Sequence, residues 1–139
     1  MAVDRDRLKA LSLFAVLSDR QRAKVAEHCH AVVVPPGEHL LDEGYSAYEF
    51  FVIEEGNAAV VSGGKHLRDL GPGDFLGEIG ILSQRQRTAS VIATSTVKAI
   101  AMSANDFREM TESIPEVAKQ INEAAAERLE RDRFFGLEH

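Results

Sequence analysis

Five clusters of turn-forming residues cut the middle of this 139-residue chain into short apolar runs: Pro35-Pro36-Gly37, Glu43-Gly44, Glu55-Gly56-Asn57, Gly63-Gly64 and Gly71-Pro72-Gly73. Proline removes a backbone donor and glycine supplies positive φ, so no long helix passes through such punctuation. The runs between, such as Phe50–Ile53 and Ala58–Val61, are β-branched and aromatic, and Val91 to Met102 continues with Val, Ile and Thr. From about His30 to Met102 the spacing predicts an all-β sandwich or barrel of about eight short strands. Gly63-Gly64, between Val60-Val61 and Leu67, is the natural hairpin turn there. Val33, Phe50, Phe51, Val60 and Val61 are expected in the core.

Helical periodicity frames this region. Within residues 4 to 29, Leu8, Leu11, Phe14 and Leu17 predict a first helix ending near Phe14–Leu17. Ser18-Asp19-Arg20-Gln21 has the capping-box form and predicts a second helix from Ser18, with Val25 and Ala26 inward. Ser103-Ala104-Asn105-Asp106 caps a helix bearing Phe107 and Met110. Ser113-Ile114-Pro115-Glu116, with Ser as the cap and Pro early, starts the last helix. Its stripe is Ile114, Val117, Ala118, Ile121, Ala125 and Leu129, and Arg128, Arg131 and Arg133 near its end suit the helix dipole. The fold class is α+β. The length suits one domain over residues 1–136, and Leu137-Glu138-His139 reads as the start of an expression tag.

No run of 18 apolar residues suggests a membrane span, and no signal segment opens the chain. Cys29 is the one cysteine, so there is no disulfide framework and the expected compartment is the cytoplasm. A net charge of −6 without a basic cluster argues against nucleic acid.

The stretch Gly73 to Val91, GDFLGEIGILSQRQRTASV, carries the chemistry. Gly77 and Gly80 let backbone N–H groups approach an anion closely. A short helical turn beginning near Gly77 would aim further N–H groups at the same place. Arg87 adds a planar fork of donors suited to phosphate oxygens. Glu78 cannot take the phosphate, since both are negative. An ionised carboxylate only accepts hydrogen bonds, so its natural partner is a hydroxyl pair such as that of a ribose. One ligand with both groups is a nucleotide.

Plainer readings stand beside this one. Glu78 and Arg87 also admit a structural ion pair, but a partly buried pair adds little stability because desolvation offsets the Coulomb gain. Arg85 reads as a solvated loop charge. His28-Cys29-His30 has the look of a metal cluster, yet no further group at ligand spacing accompanies it, so no metal site is expected. Phe134-Phe135 suits either a hydrophobic lid or a packed terminus or dimer seam. No nucleophile–base pair or metal set is visible, so the chain is not expected to be an enzyme.

In order along the chain come LFAVLS (Leu13 to Ser18), PPGEHLLDEG (Pro35 to Gly44), FFVIEEGNAAV (Phe50 to Val60), LGPGDFLGEIGIL (Leu70 to Leu82) and QRTASV (Gln86 to Val91). This series resembles the cyclic nucleotide-binding domain, over nearly the whole chain from about Leu11 to Leu129. The resemblance implies an eight-stranded β jelly-roll barrel with N-terminal helices and two C-terminal closing helices. It implies that Gly77 to Ala89 is the phosphate-binding cassette. Glu78 would take the ribose 2′-hydroxyl, Arg87 the cyclic phosphate, and N–H groups near Gly77, Ile79 and Gly80 further hydrogen bonds. Thr88 falls where a hydroxyl occurs in cGMP-selective relatives and in cAMP-binding bacterial ones, so it points mildly toward tolerating cGMP without deciding the base; the expected ligand is cAMP in preference to cGMP.

Leu70, Leu76, Val91 and Ala93 would help wall the pocket, and Phe134 and Phe135 would lie over the base. Leu76 and Gln86 replace a Phe and a Pro common in eukaryotic cassettes. The missing Pro costs roughly 0.4–1 kcal/mol at most, and neither change removes a ligand group. The expected role is a regulatory sensor that moves its last helix against an effector, and the apolar stripe on that helix is compatible with a homodimer. The alternatives are a nucleotide-free dimerising domain, the sensor half of a truncated transcription regulator, and a metal-dependent jelly-roll enzyme, for which the ligand count falls short.

Overall fold

A computed structural model of the chain describes residues 3–42, 49–78, 81 and 89–134. Eight strands follow the turn clusters: β1 (Cys29–Val34), β2 (His39–Leu41), β3 (Glu49–Glu55), β4 (Ala58–Ser62), β5 (Lys65–Leu70), β6 (Phe75–Leu76), β7 (Ser90–Ala93) and β8 (Val97–Ser103). They form two antiparallel four-stranded sheets, β1-β8-β3-β6 and β2-β7-β4-β5. The pairings β1·β8, β2·β7, β3·β6 and β4·β5 are nested, as a jelly-roll path requires. Among the described residues no ladder joins the two sheets, so they form a sandwich where a closed barrel was expected. The Gly63-Gly64 turn is as expected: Ser62 pairs with Lys65, and the two glycines have φ of 58° and 79°, both positive as a tight hairpin of this length needs.

Phe51 and Ile53 on β3, with Val97, Ala99 and Ala101 on β8, face the second sheet, where Val60, Leu70 and Val91 meet them. The alternate residues Phe50, Val52, Ile100 and Met102 face the helices. Both faces of these two strands are therefore covered, which explains their near-continuous apolar runs. Strand β1 lies at a sheet edge, and its helix-facing side is covered only at Cys29 and Ala31. Val33, expected in the core, projects beyond that cover and is 63% exposed, and Val61 is only half-buried.

The helices are α1 (Arg5–Lys9), α2 (Ser12–Ala15), α3 (Asp19–Ala26), α4 (Ala104–Ser113) and α5 (Pro115–Phe134). The single first helix expected from the leucine spacing is in fact two, because Leu11 is extended (φ −100°, ψ 126°). A second break follows where α2 ends, and Arg22 fills it. Its buried guanidinium donates to the carbonyls of Phe14 (3.3 Å), Ala15 (3.2 Å) and Leu17, and to Asp19 Oδ1 (2.6 Å). It thus satisfies the carbonyls orphaned where α2 ends.

The Ser18–Gln21 capping box is formed in both directions, and Asp106 N–H donates to Ser103 Oγ at 3.1 Å. Ser113 does not cap α5 as expected. It closes α4, its hydroxyl donating back to the Glu109 carbonyl at 2.7 Å, while Ile114 turns extended ahead of Pro115. Arg7 Nε donates to Glu54 Oε2 at 3.1 Å and ties α1 to β3.

Replacing Arg22 with alanine removes the donor to the Ala15 and Leu17 carbonyls, while Phe14 keeps the Leu17 N–H, and should lower stability by at least about 2 kcal/mol, read from urea unfolding midpoints. Asp19→Ala, at the exposed end of the same pair, should shift the midpoint much less. Cys29 Sγ–H donates to the Val25 carbonyl at 3.2 Å, and burial, with Asp106 nearby, pushes the thiol up to about 12. Since the thiolate is the nucleophile, on the order of one molecule in 10,000 is reactive at pH 8. Iodoacetamide should therefore label the native protein only at its opening rate, and labelling should become fast in urea above the unfolding transition.

Candidate functional site

The approach to the Gly73–Val91 segment is rigid. Ile53 N–H donates to Asp74 C=O at 2.9 Å, and Gly73 N–H to Ile53 C=O at 2.8 Å. Gly71 N–H donates to Asp74 Oδ2 at 2.8 Å, closing the Gly71–Asp74 turn against β3. Strand β6 then pairs Phe51 with Leu76 and Val52 with Phe75. At Gly77 the backbone adopts φ 97°, a conformation that would strain any residue with a Cβ. A helical turn starts there: Ile81 N–H reaches the Gly77 carbonyl at 3.4 Å. Leu76 enters the core between the sheets and Ile81 the core beneath the helices, so the turn is anchored on both sides.

Glu78 sits on this turn and is 1% exposed. Its Oε1 accepts a close, charge-assisted hydrogen bond from Arg128 Nη1, on α5 and 50 residues away. The Arg128 guanidinium also lies over the Phe75 ring, 4.9 Å from its centroid. Phe75 packs against Phe50 (5.8 Å between centroids), and Phe50 against Phe107 of α4 (4.4 Å). A buried carboxylate is thus matched by a cation that is itself backed by an aromatic face, two attractions strengthened by low local polarity.

Gly77 and Glu78 lie at the start of the turn after β6, and Ala89 lies half-buried just before β7 against the intersheet core. Leu70, Leu76, Val91 and Ala93 all belong to that core. Ile79, Gly80, Arg85, Gln86, Arg87 and Thr88 lie outside the described residues, as does Phe135, while Phe134 is the last residue of α5. Arg128 is the residue that sequence reasoning missed, having credited it only with the helix dipole. The signal was Glu78 itself, an acidic side chain inside an apolar run, which calls for a cation somewhere in the chain.

The His28-Cys29-His30 side chains diverge. His28 Nδ1 is 3.5 Å from Asp106, His30 Nε2 is 3.5 Å from Glu49, and Cys29 is buried between them. Among the described residues no group of three His, Cys, Asp or Glu could hold a metal ion, and no helix is long and apolar enough to cross a membrane.

A family model for the cyclic nucleotide-binding domain matches residues 31–113, more than half of the chain. The chain is 31% identical over 103 residues to a cAMP-dependent protein kinase regulatory subunit of Hypocrea atroviridis, covering 74% of this chain and 22% of that protein. It is 31% identical over 119 residues to a cyclic nucleotide-gated potassium channel of Rhizobium etli, covering 86% and 33%. The regulatory domain of Toxoplasma gondii PKA, solved with cAMP, has a similar fold, with a TM-score of 0.77 at 24% identity over 88% of this chain and 48% of that one. The chain spans about a fifth and a third of the two curated relatives.

Removing the cation should expose the cost of burying Glu78. Arg128→Met should lower stability by roughly 2–3 kcal/mol, somewhat less than for a fully buried pair because Arg128 retains some exposure. The Glu78→Gln, Arg128→Met double variant should recover at least about 1 kcal/mol relative to additivity, measured as a double-mutant cycle in urea.

Proposed function

The chain belongs to the cyclic nucleotide-binding domain family, and on that premise we propose that it is a cytoplasmic regulatory module that binds a cyclic nucleotide, cAMP in preference to cGMP. The proposed unit is one domain over residues 1–136, with residues 137–139 a tag remnant. Arg87 and the N–H groups of Gly77, Ile79 and Gly80 receive the cyclic phosphate, Glu78 the ribose 2′-hydroxyl, and Thr88 and Ala89 complete the cassette. Leu70, Leu76 and Val91 wall the base, with Phe134 and Phe135 as its lid. The product of binding is a movement, not a reaction. It acts on an effector domain or protein partner, in keeping with relatives that are kinase regulatory subunits and gated channels.

The observation that carries this reading is the burial of Glu78 under Arg128. A carboxylate that is 1% exposed cannot meet a ribose hydroxyl until what covers it shifts. The covering group belongs to α5, so ligand entry and α5 position are linked. A ligand moves such an equilibrium only by its difference in affinity for the two arrangements, and couplings of this kind are typically about 1–3 kcal/mol. Trading the Arg128 bond for the ribose hydroxyl, with the phosphate neutralised at Arg87, is one source of that difference.

Calorimetric titration with cAMP and cGMP tests the reading. Saturable binding below millimolar ligand is expected, tighter for cAMP. Arg87→Ala should weaken it by about 1.5–3 kcal/mol, the worth of a charge-assisted hydrogen bond. Glu78→Gln should weaken it as well. Arg128→Met should tighten it, because the competitor for Glu78 is gone. A folded protein that shows no binding near millimolar ligand overturns the sensor reading. Weaker binding by Arg128→Met would overturn the α5 linkage alone.

A further inference from the structure

A concave feature lies between α3 and α4, and Glu78 is not among its lining residues. It is a cleft of about 300 Å³. Its floor is apolar: Val25 from α3, Met102 from the end of β8, Met110 from α4, and Ile114 just after it. Its rim is charged and predominantly acidic, with Glu27, Asp106 and Glu109 against Lys24, and His28 next to Asp106.

The volume is at the bottom of the range of about 300–1,000 Å³ typical of small-molecule pockets, so a whole drug-sized ligand fits poorly and one or two inserted side chains fit well. Two roughly flanking helices with an apolar floor are the setting of helix-in-groove recognition. Methionines in such a floor adapt to differently shaped anchors. The acidic rim decides the sign of the partner, since like charges brought against it would be repelled. We propose that this cleft docks a helix of a protein partner, which inserts an apolar side chain between α3 and α4 and carries lysine or arginine on the turns to either side.

The methionines give a site-specific readout, because the chain has only three of them, Met1, Met102 and Met110. The full chain, labelled with ¹³C at the methionine methyls, is titrated with short helical peptides carrying a Leu, Met or Phe anchor flanked by lysines. A matched set has glutamate flanks. The Met102 and Met110 methyl signals should shift saturably with at least one lysine-flanked peptide, the Met1 signal should not, and the glutamate set should have no effect.

Glu27→Lys with Glu109→Lys should weaken that binding by roughly tenfold or more. Glu38→Lys with Asp69→Lys, the same change of net charge elsewhere on the surface, should leave it unaltered. The proposal is overturned if no lysine-flanked peptide moves the two methyls, or if both charge variants weaken binding equally. It is also overturned if the methyls shift with protein concentration alone, which would place a second copy in the cleft.

Discussion

The Glu78 charge is the constraint around which the rest of this molecule is arranged. Taking a carboxylate almost completely out of water costs several kcal/mol unless a cation and hydrogen bonds meet it. The cation comes from Arg128, near the far end of the longest helix. That requirement fixes where α5 passes, and it explains why Phe75 presents its ring to the same guanidinium. It also joins pieces distant in sequence. The turn after β6 is tied to α5 by the charge pair, and through Phe75, Phe50 and Phe107 it is in contact with α4. A purely structural domain could fill the place of Glu78 with leucine at no cost in desolvation. Its retention inside an apolar run makes sense for a group that must at some point accept a hydrogen bond from something else.

The pair can be held there because the sheet beneath it is well covered. Strands β3 and β8 bury alternate side chains in opposite directions, toward the second sheet and toward the helices. Their apolar packing involves side chains other than the charged pair, so on the proposed reading the pair can change partners while these two cores keep their contacts. Arg22 plays the corresponding role in the N-terminal helices. It replaces the hydrogen bonds that are lost where α2 stops, which lets a tight sequence of helical segments pack under the sheet.

Local chemistry was readable from the chain and long-range pairing was not. The Gly63-Gly64 hairpin, the Ser18–Gln21 box and the Ser103 cap each depend on residues within four positions, and each forms as the sequence implies. The alternation of layers was readable only as a suspiciously continuous run, FFVI, because both faces of β3 are buried. Val33 went wrong for the complementary reason: a β-branched residue in a strand says nothing about how far the covering helices extend. Ser113 has the composition of a cap, but its hydroxyl found a carbonyl one turn back within α4. Of the site, Gly77 and Glu78 were legible as a pair. Arg128 was invisible because its partner is 50 residues away, and on its own helix it is only one arginine among several.

The two ends of α5 are held by different physics, and this bears on how the proposed sensor would work. Val117 and Ile121 are completely buried, so the first half of the helix is locked by apolar packing that no ligand in the cassette would alter. Further along, Ala125 is also buried, and Arg128 follows with its link to Glu78. About 13 residues of the helix follow Ile121, a lever of roughly 20 Å, so a change of tilt of about 10° there displaces its end by roughly 3 Å. Exchange of a single charge-assisted bond at Glu78 is then enough to redirect the part of α5 that an effector would feel, while the part that holds the domain together stays in place. On the proposed reading, the boundary between fold and signal falls inside one helix, between the packing of Val117 and Ile121 and the arginine that holds Glu78.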